Sequence, residues 1–496
     1  MRRQGWADFH DWRVERDSET PLFRQVYQQL RGAILARSLG PGAQLPSTRG
    51  LSRRLGLART SIVAAYEQLL AEGFVTGRVG AGTYVSADLP EAIDGAPVRP
   101  AKPRARPSVS SATAPSTPTP PGFADTTVQG DPRPFNTGRA LLDARTVEVW
   151  RKLTLQHLRA LDPIHLGYSD PRGLPELRQQ IADYLRAARA VRCEPDQIVV
   201  TAGTQHAIDL AIRVLLTRDD EAWVEDPGYP PTFHALVASG TIVRPVPVDA
   251  HGLDVGAGIR MAPRARLAFI TPSHQYPLGV VLSMARRLEL LAWAREAGAW
   301  ILEDDYQSEF RYSGRPLASL QGLDEAERVI YTGTFNKALF PGLRMGYLVV
   351  PPALLPAFVQ ARYLMDRQPP SLFQAVMAEF LRQGHLAGHI RRMRAMYRDQ
   401  RDALVAALAR RAGDHLEIRA PDQGMHLVAA LKPGRSDVAI ERTAWAAGIV
   451  VRAASRLYRA APARPGLLMG FSGYPRQMIV PTATKLARVI GATPGE

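Results

Sequence analysis

The first regular pattern in the chain is an apolar stripe that begins just after Pro21. Its members recur every three or four positions, which is the period of one face of an α-helix; they are Leu22, Phe23, Val26, Tyr27, Leu30 and Ile34. The glycine- and proline-rich run 40–46 ends this helix. Ser47 suits the N-cap of a second, short helix that extends to Leu55 and is closed by Gly56.

A third helix and a hairpin follow at once. The helix is predicted from about Arg59 to Glu72, with an apolar face that is predicted to be buried: Ile62, Val63, Tyr66, Leu69 and Leu70. Residues 74–76 and 83–85 are predicted to form two strands around the glycine-rich turn 77–82. Three helices followed by such a hairpin predict an α+β winged helix-turn-helix over residues 19–87.

Residues 88–130 have a different composition. Nine prolines lie between Pro90 and Pro121, and Ser, Thr and Ala fill most of the spaces between them. Such a segment cannot bury an apolar core, so it is predicted to be an extended, semi-rigid linker.

A large α/β pattern is predicted over residues 131–492. Short apolar segments alternate with helical ones, as a mainly parallel buried sheet requires; the predicted strands are 198–201, 222–224, 267–270, 299–302 and 328–331. Helices are predicted at His206–Leu216, at Ala285–Ala297 and around 371–412. From His415 the chain mixes strands and helices and is predicted to form a smaller α+β lobe.

Composition sets limits on these interpretations. The 496 residues are enough for two or three domains, and the single cysteine, Cys193, excludes an intramolecular disulfide and fits a reducing cytoplasm. We find neither a secretory signal nor an apolar run long enough to cross a membrane. The net charge of +15 favours a polyanionic partner, although an arginine-rich proteome gives the same value.

The predicted winged helix carries its polar residues where this fold meets DNA. Residues 1–86 hold twelve arginines and seven acidic residues. N-terminal residues of a recognition helix reach bases and phosphates in the major groove, and the wing reaches the backbone or minor groove. The predicted DNA contacts are therefore Arg49, Arg53, Arg59, Thr60, Ser61 and Arg78. A solvated basic face on a small helical domain is the alternative.

Lys337 is the first candidate for chemistry. The chain has only five lysines, and a lysine amine in a dry pocket can lose its proton and attack a carbonyl, whereas arginine stays charged. Thr334 lies three residues before Lys337 and Arg344 seven after. A hydroxyl and a guanidinium beside a lysine suit an aldehyde cofactor that carries a phosphate, such as pyridoxal phosphate (PLP). A surface lysine in a loop is the alternative.

Other candidates follow predicted strands, where ligands collect in such sheets. Gly203, Thr204 and Gln205 open a helix, and free N–H groups there can hold a phosphate. Asp304 can keep a pyridine nitrogen protonated, and the phenol of Tyr306 can bind the ring oxygen. Tyr229 can stack on the ring. Each has an ordinary alternative: a plain turn, a solvated acid, or aromatic packing.

Several motifs resemble known families. Residues 21–27, 42–49, 59–67 and 80–85 look like the DNA-binding domain of GntR-type regulators, although Ala58 stands where that family usually has a serine N-cap. Residues 131–492 resemble fold-type I PLP-dependent aminotransferases. That resemblance implies that Lys337 carries PLP, that Arg344 binds its phosphate, and that Tyr168 reaches the phosphate, often from the other subunit. Arg456, or its competitor Arg452, would bind an amino acid carboxylate.

The order of the domains resembles the MocR subfamily of GntR-type regulators. The resemblance implies a homodimer that binds operator DNA through its winged helices and senses an amino acid, an amine or PLP itself. In one departure, Tyr276 occupies the place where aminotransferases carry an asparagine. This argues against efficient turnover. The rival hypotheses are an active aminotransferase with a DNA-binding domain and a regulator without a cofactor.

Overall fold

The computed structural model of the protein describes residues 12, 14–18, 20–78, 82–87, 131–161, 166–314 and 317–493, with only the backbone of Arg78. The chain divides into two compact units, Met1–Pro115 and Ser116–Glu496, and each is described by itself. The predicted linker at residues 88–130 lies outside the described residues. In the described part of the chain, no helix is long and apolar enough to cross a membrane.

The N-terminal unit contains three helices and an antiparallel hairpin around one apolar core. Its elements are α1 (Leu22–Leu35), α2 (Thr48–Leu55), α3 (Arg59–Ala71), β1 (Val75–Arg78) and β2 (Gly82–Val85). The Ser47 hydroxyl accepts a hydrogen bond from the backbone N–H of Gly50 at 3.1 Å, and Gly56 ends α2 with φ of 60°. The predicted winged helix-turn-helix is confirmed.

The predicted buried face of α3 was wrong at one end. Leu69 is fully buried, whereas Leu70 is 50% exposed, Val63 is half-buried and Ala65 lies in the core instead. Consecutive helix residues point about 100° apart, and here Leu69 points into the core while Leu70 points towards solvent. The sequence pattern gave no means of choosing between them.

The second unit begins with an α/β region. Its elements are α4 (Ala144–Arg159), α5 (Pro175–Arg189), β3 (Ile198–Thr201), α6 (Thr204–Leu215), β4 (Glu221–Asp226), α7 (Pro230–Ala238), β5 (Ile242–Asp249), β6 (Gly252–Leu253), α8 (Val255–Met261), β7 (Leu267–Ile270), α9 (Met284–Ala297), β8 (Trp300–Asp305), β9 (Val329–Thr334), α10 (Phe335–Ala338), β10 (Gly346–Val349) and α11 (Leu355–Asp366).

Long helices and a smaller lobe complete this unit. Their elements are α12 (Ser371–Arg382), α13 (His385–Ala412), β11 (Leu416–Glu417), β12 (His426–Leu431), α14 (Asp437–Ala446), β13 (Arg452–Ala453), β14 (Gly466–Gly470) and α15 (Arg476–Ala492). The four strands form an antiparallel sheet in the order β11-β12-β14-β13. Together with α13 and α15 they enclose one apolar core, which confirms the predicted α+β lobe.

The large sheet has eight strands in the order β3-β10-β9-β8-β7-β4-β5-β6. Strands β5, β4, β7, β8 and β9 run parallel, and β10 runs antiparallel between β3 and β9. The predicted mainly parallel sheet is therefore a mixed one. Strands β5, β6 and β10 had not been predicted.

Apolar clusters cover both faces of the large sheet. Burial on both faces explains why the central strands are rich in apolar residues. Strand β5, near one edge of the sheet, differs because its end residues Ile242 and Asp249 are exposed. The parallel strands β4, β7, β8 and β9 end at one edge of the sheet. The chain leaves that edge at three of the predicted site segments: Asp226–Tyr229, Asp304–Tyr306 and Thr334–Lys337.

Candidate functional site

Lys337 lies at the carboxyl end of β9, on the four-residue helix α10. Thr334 ends the strand and caps this helix, because its hydroxyl accepts a hydrogen bond from the backbone N–H of Asn336 at 3.2 Å. The half-buried Lys337 amine donates to the carbonyl of Gly138 at 3.5 Å. Gly138 has φ of 76°, and a β-carbon there would collide with Lys337 Nζ, so only glycine leaves the amine its place.

Asp304 faces Lys337 from the neighbouring strand. The sequence had placed this acid after its strand, whereas it lies within β8 and is buried. One of its carboxylate oxygens, Oδ1, has no hydrogen-bond partner among the described residues. Burial, with the nearby Asp305 and Glu225 carboxylates, raises the pKa of Asp304 well above its usual range, and Lys337 partly opposes this rise.

The same burial changes the amine. It lowers the pKa of Lys337, and the attraction of Asp304 opposes that change. A lysine with a lowered pKa is deprotonated at a lower pH than an exposed lysine and is then nucleophilic. The pair can therefore supply a reactive amine on one side and an acceptor for a buried N–H or cation on the other.

A second cluster surrounds the start of α6. Gly203 has φ of 106°, and a β-carbon there would stand 2.7 Å from Asn336 Nδ2 and 3.7 Å from an Arg344 guanidinium nitrogen. Thr204 and Gln205 form the first turn of α6, whose leading N–H groups have no partner within the helix. Arg344 is exposed, and its guanidinium forms no hydrogen bond or ion pair with any described residue. Together these groups form a cradle of donors open to an anion.

Aromatic side chains form a wall beside Lys337 and Asp304. The Tyr306 hydroxyl donates to the carbonyl of His274 at 3.0 Å. Tyr229 and Tyr276 meet edge to face at 5.5 Å between ring centroids. Burial, followed by the Asp304 carboxylate, raises the pKa of Tyr229 and of Tyr306. Both phenols are thus neutral donors near Asp304.

Sequence analysis missed two histidines in this wall. His274 and His426 are buried with ring centroids 4.9 Å apart, and His426 also meets Tyr276. Burial lowers the pKa of both, to about 4 for His426, so both are neutral at pH 7. His274 precedes the noted Tyr276 by two residues, but the sequence has no pattern that links either residue to His426. Gly138 and Asn336 were likewise missed as site residues.

The two candidate carboxylate-binding arginines lie in different surroundings. Arg452, on β13, is half-buried near Tyr229 and Tyr276, with Nε buried and without a hydrogen-bond partner in the described part of the chain. The Arg456 side chain is 59% exposed and forms an ion pair with Glu441 at 3.2 Å. The structure therefore brings Arg452, and not Arg456, to the aromatic wall.

Tyr168 does not join the cluster formed by Lys337 and Asp304. It is 82% exposed, and its ring lies under the guanidinium of Arg367 at 5.1 Å. Exposed apolar side chains occur on the same and nearby segments, including Leu166 and Leu364.

Five of the six predicted DNA contacts lie on helices α2 and α3 of the N-terminal unit. Arg49 and Arg53 are exposed on α2, and Arg59 and Thr60 are exposed at the start of α3. Ser61 is half-buried. Arg78 ends β1 rather than lying in the turn, and its side chain lies outside the described part.

Comparison with known families agrees with both parts of this description. Residues 22–85 match the model of bacterial regulatory proteins of the gntR family, and residues 134–464 match that of aminotransferase class I and II. The chain is also similar to solved aminotransferases. A kynurenine aminotransferase of Pyrococcus horikoshii superposes with a TM-score of 0.65 at 26% identity, over 70% of this chain and 87% of that one. Aminotransferases of this class depend on PLP, so the chain has the fold of a PLP-dependent protein.

Fold and site together define a helix-turn-helix transcription regulator that carries an aminotransferase-like unit. Curated relatives match this chain over more than nine-tenths of their length. A probable rhizopine catabolism regulatory protein, MocR, of Rhizobium meliloti is 38% identical over 93% of this chain and 92% of its own. The pyridoxine biosynthesis regulator PdxR of Corynebacterium glutamicum is 32% identical over 92% of this chain and 93% of its own. The chain belongs to the MocR subfamily of GntR-type transcription regulators.

Proposed function

We propose that this regulator holds PLP at Lys337 and senses an amino compound, or PLP itself, through that site. The observation that carries the proposal is the pairing of Lys337, whose pKa burial lowers, with a buried Asp304 carboxylate that lacks a partner for Oδ1. A buried carboxylate without a partner is costly in the absence of a ligand. The protonated ring nitrogen of PLP supplies the missing charge and hydrogen bond.

The remaining residues fit the other parts of the cofactor. Arg344, the Thr334 hydroxyl and the N–H groups at Gly203, Thr204 and Gln205 would hold the phosphate, because all are donors around one space. Tyr306 would donate to the ring oxygen, and Tyr229 would pack against the ring. When bound, PLP supplies an aldehyde and an electron-accepting ring that combine with amines.

The effector is proposed to bind beside the aromatic wall. Arg452 has a buried guanidinium nitrogen without a partner in the described part of the chain, so it is the better placed of the two arginines to receive a carboxylate. Arg452 and Lys337 both lie beside the aromatic wall, an arrangement that suits an amino acid held at both ends. Arg456 is engaged by Glu441 instead.

The proposed working form is a homodimer on operator DNA. Tyr168, Leu166 and Leu364 expose large apolar surfaces that a second copy of the chain would cover, and Tyr168 would then serve the cofactor site of that copy. In the N-terminal unit, Arg49, Arg53, Arg59, Thr60, Ser61 and Arg78 are proposed to contact the operator.

Efficient transamination is the competing function, because aminotransferases are among the similar structures. Tyr276 stands in place of the family asparagine, packed edge to face on Tyr229. The Tyr306 hydroxyl already donates to a backbone carbonyl. A cofactor oxygen with fewer donors is held less firmly, so the site favours binding and sensing over turnover. Amino-group transfer at about 10 per second, a common enzyme rate, would instead favour the enzyme.

One experiment tests PLP binding and operator binding separately. The purified protein should show the visible absorbance of bound PLP, and borohydride reduction followed by peptide mapping should find the cofactor on Lys337. Lys337→Ala and Lys337→Arg should both lose the absorbance, since positive charge is not the required property. Arg59→Ala should keep the absorbance and bind operator more weakly. Reduction that fixes PLP on another lysine would contradict the assignment.

A further inference from the structure

A second concave site lies away from Lys337, in a cleft between α4, α12 and the start of α13. Its cavity volume is about 280 Å³. Residues from all three elements line it, including Arg145, Thr146, Phe380, His385, Arg391 and Arg392. A space of this size admits a small organic molecule, and none of the residues that line it carries a carboxylate.

The charges around the cleft are unbalanced. The Arg392 guanidinium already has partners, because it forms an ion pair with Asp143 and donates to the Thr146 hydroxyl at 3.0 Å. Glu379, a carboxylate near His385, is paired with Arg382. The guanidinium groups of Arg145 and Arg391, both exposed, form no ion pair or hydrogen bond with any described residue. Two guanidinium groups therefore stand at one concave space without an anion.

Backbone donors open into the same space. Helix α13 has 28 residues, and Gly384 begins it with φ of 73° and no side-chain cap. Helical hydrogen bonding starts with the N–H of Gly388, so the N–H groups of the first three residues have no partner within the helix. The positive end of the helix adds to the field of the two arginines.

The wall of the cleft continues to the segment that carries Lys337. The Thr146 hydroxyl lies 2.8 Å from His389 Nδ1. The backbone of Ala338, in α10, is near the same histidine and opposes the lowering of its pKa by burial. Trp150 packs edge to face on Phe380, in the cleft, and on Phe340, two residues after Ala338. A ligand in the cleft would therefore contact side chains that pack directly against α10, the helix that carries Lys337.

We propose that this cleft binds a small phosphate-bearing molecule at a site separate from the Lys337 pocket. Two guanidinium groups and a helix N-terminus together offer several donors, which suits the three terminal oxygens of a phosphate better than the two oxygens of a carboxylate. A concave cleft of about 280 Å³ also suits a single small ligand better than the extended backbone of DNA.

The test is calorimetric titration of the full-length protein with inorganic phosphate, and separately with glycerol 3-phosphate, to distinguish free phosphate from an ester. Arg391→Gln and Arg145→Gln should each weaken binding about tenfold, as expected for loss of a charged hydrogen bond. Arg398→Gln removes an exposed arginine of the same helix outside the cleft and should leave the affinity unchanged. Circular dichroism of each variant checks that it has folded.

Arg344→Gln distinguishes the cleft from the proposed PLP phosphate cradle. Binding in the cleft should persist in Arg344→Gln, whether or not the proposed function is correct. The inference fails if Arg344→Gln alone abolishes phosphate binding, or if Arg398→Gln and Arg391→Gln weaken it equally. It also fails if Arg391→Gln weakens only operator binding, because the cleft would then be a nucleic-acid contact.

Discussion

Arg452 and Arg456 lie four residues apart but differ in their burial and in their partners. One presents a buried nitrogen without a described partner beside Tyr229 and Tyr276, and the other is an exposed member of an ion pair. Sequence analysis preferred Arg456, because motif spacing cannot say which side chain faces the pocket. The surroundings of the two favour Arg452 as the proposed carboxylate ligand.

Arg452→Gln should therefore weaken amino acid binding by about 10- to 100-fold, the usual effect of losing a charged hydrogen bond. Arg456→Gln is the matched control and should change the affinity little. The measurement is titration of the PLP absorbance with the amino acid that perturbs the wild-type spectrum most. Equal losses in both variants, or a loss only in Arg456→Gln, would contradict the proposed role of Arg452.

Glu225 gives a pH-dependent prediction at the same scale. Burial raises its pKa from 4.5 to about 7, and the Thr271 hydroxyl donates to its carboxylate at 2.5 Å. Because the folded state raises this pKa, folding favours the protonated acid. The resulting stabilisation is complete below about pH 4.5 and is lost as the pH rises through about 7.

Glu225→Gln keeps the shape and the acceptor but removes the titration. Between pH 5 and pH 8 the wild type should lose more free energy of unfolding than the variant, by up to roughly 3 kcal/mol. Urea unfolding at several pH values measures this difference, and Glu221→Gln at the start of the same strand controls for loss of a carboxylate. Parallel pH profiles for wild type and Glu225→Gln would refute the prediction.

Among the elements, α2 and α3 form a natural pair for testing helix capping. Ser47 caps α2 through its hydroxyl, whereas Ala58 occupies the cap position of α3 with extended backbone and no side chain to donate or accept. Since α3 carries Arg59, Thr60 and Ser61 in its first turn, the missing cap lies at the proposed DNA-reading end.

Ser47→Ala should destabilise the N-terminal unit by about 1 kcal/mol, and Ala58→Ser should stabilise it by a similar amount. Hydrogen exchange of the α2 and α3 amides in the full-length protein reports both changes as roughly fivefold shifts in protection. Amides of the α/β unit provide the internal control. Slower exchange in Ser47→Ala, or faster exchange in Ala58→Ser, would show that the caps do not act as the geometry indicates.

In the whole molecule, the question is whether the two units influence each other. If the Lys337 site senses an effector, the amino acid that binds there should change operator affinity by about 5- to 150-fold, the usual range of coupling between sites. Such a change requires that the protein have two arrangements with different DNA affinities and that the effector bind one of them more tightly. Lys337→Ala should keep operator binding and lose the response.

DNA titrations of PLP-loaded and PLP-free wild type, with and without the amino acid, measure this coupling, and Arg456→Gln serves as a responding control. An equal response in wild type and Lys337→Ala would place the sensor elsewhere. No response in either protein would make the aminotransferase-like unit a dimerisation scaffold.

The sequence by itself determined the classes of structure and the reactive centre. Helical periodicity before residue 72, short apolar strands between residues 198 and 331, and the scarcity of lysine are local properties that can be read along the chain. They predicted the winged helix, the α/β unit and Lys337, with its neighbours Thr334 and Arg344. Helix caps at Ser47 and Gly56 were equally readable, because capping involves residues only a few positions apart.

Only the tertiary structure decided which distant residues meet. Gly138 lies against Lys337 across 199 positions, and His426 packs on His274 across about 150. The unpartnered oxygen of Asp304, the choice of Arg452, the antiparallel β10 and the exposure of Leu70 depend on packing between separate segments. Periodicity reports which face of one element is apolar. It does not report which other element covers that face, and burial, pKa and hydrogen-bond partners all follow from that second fact.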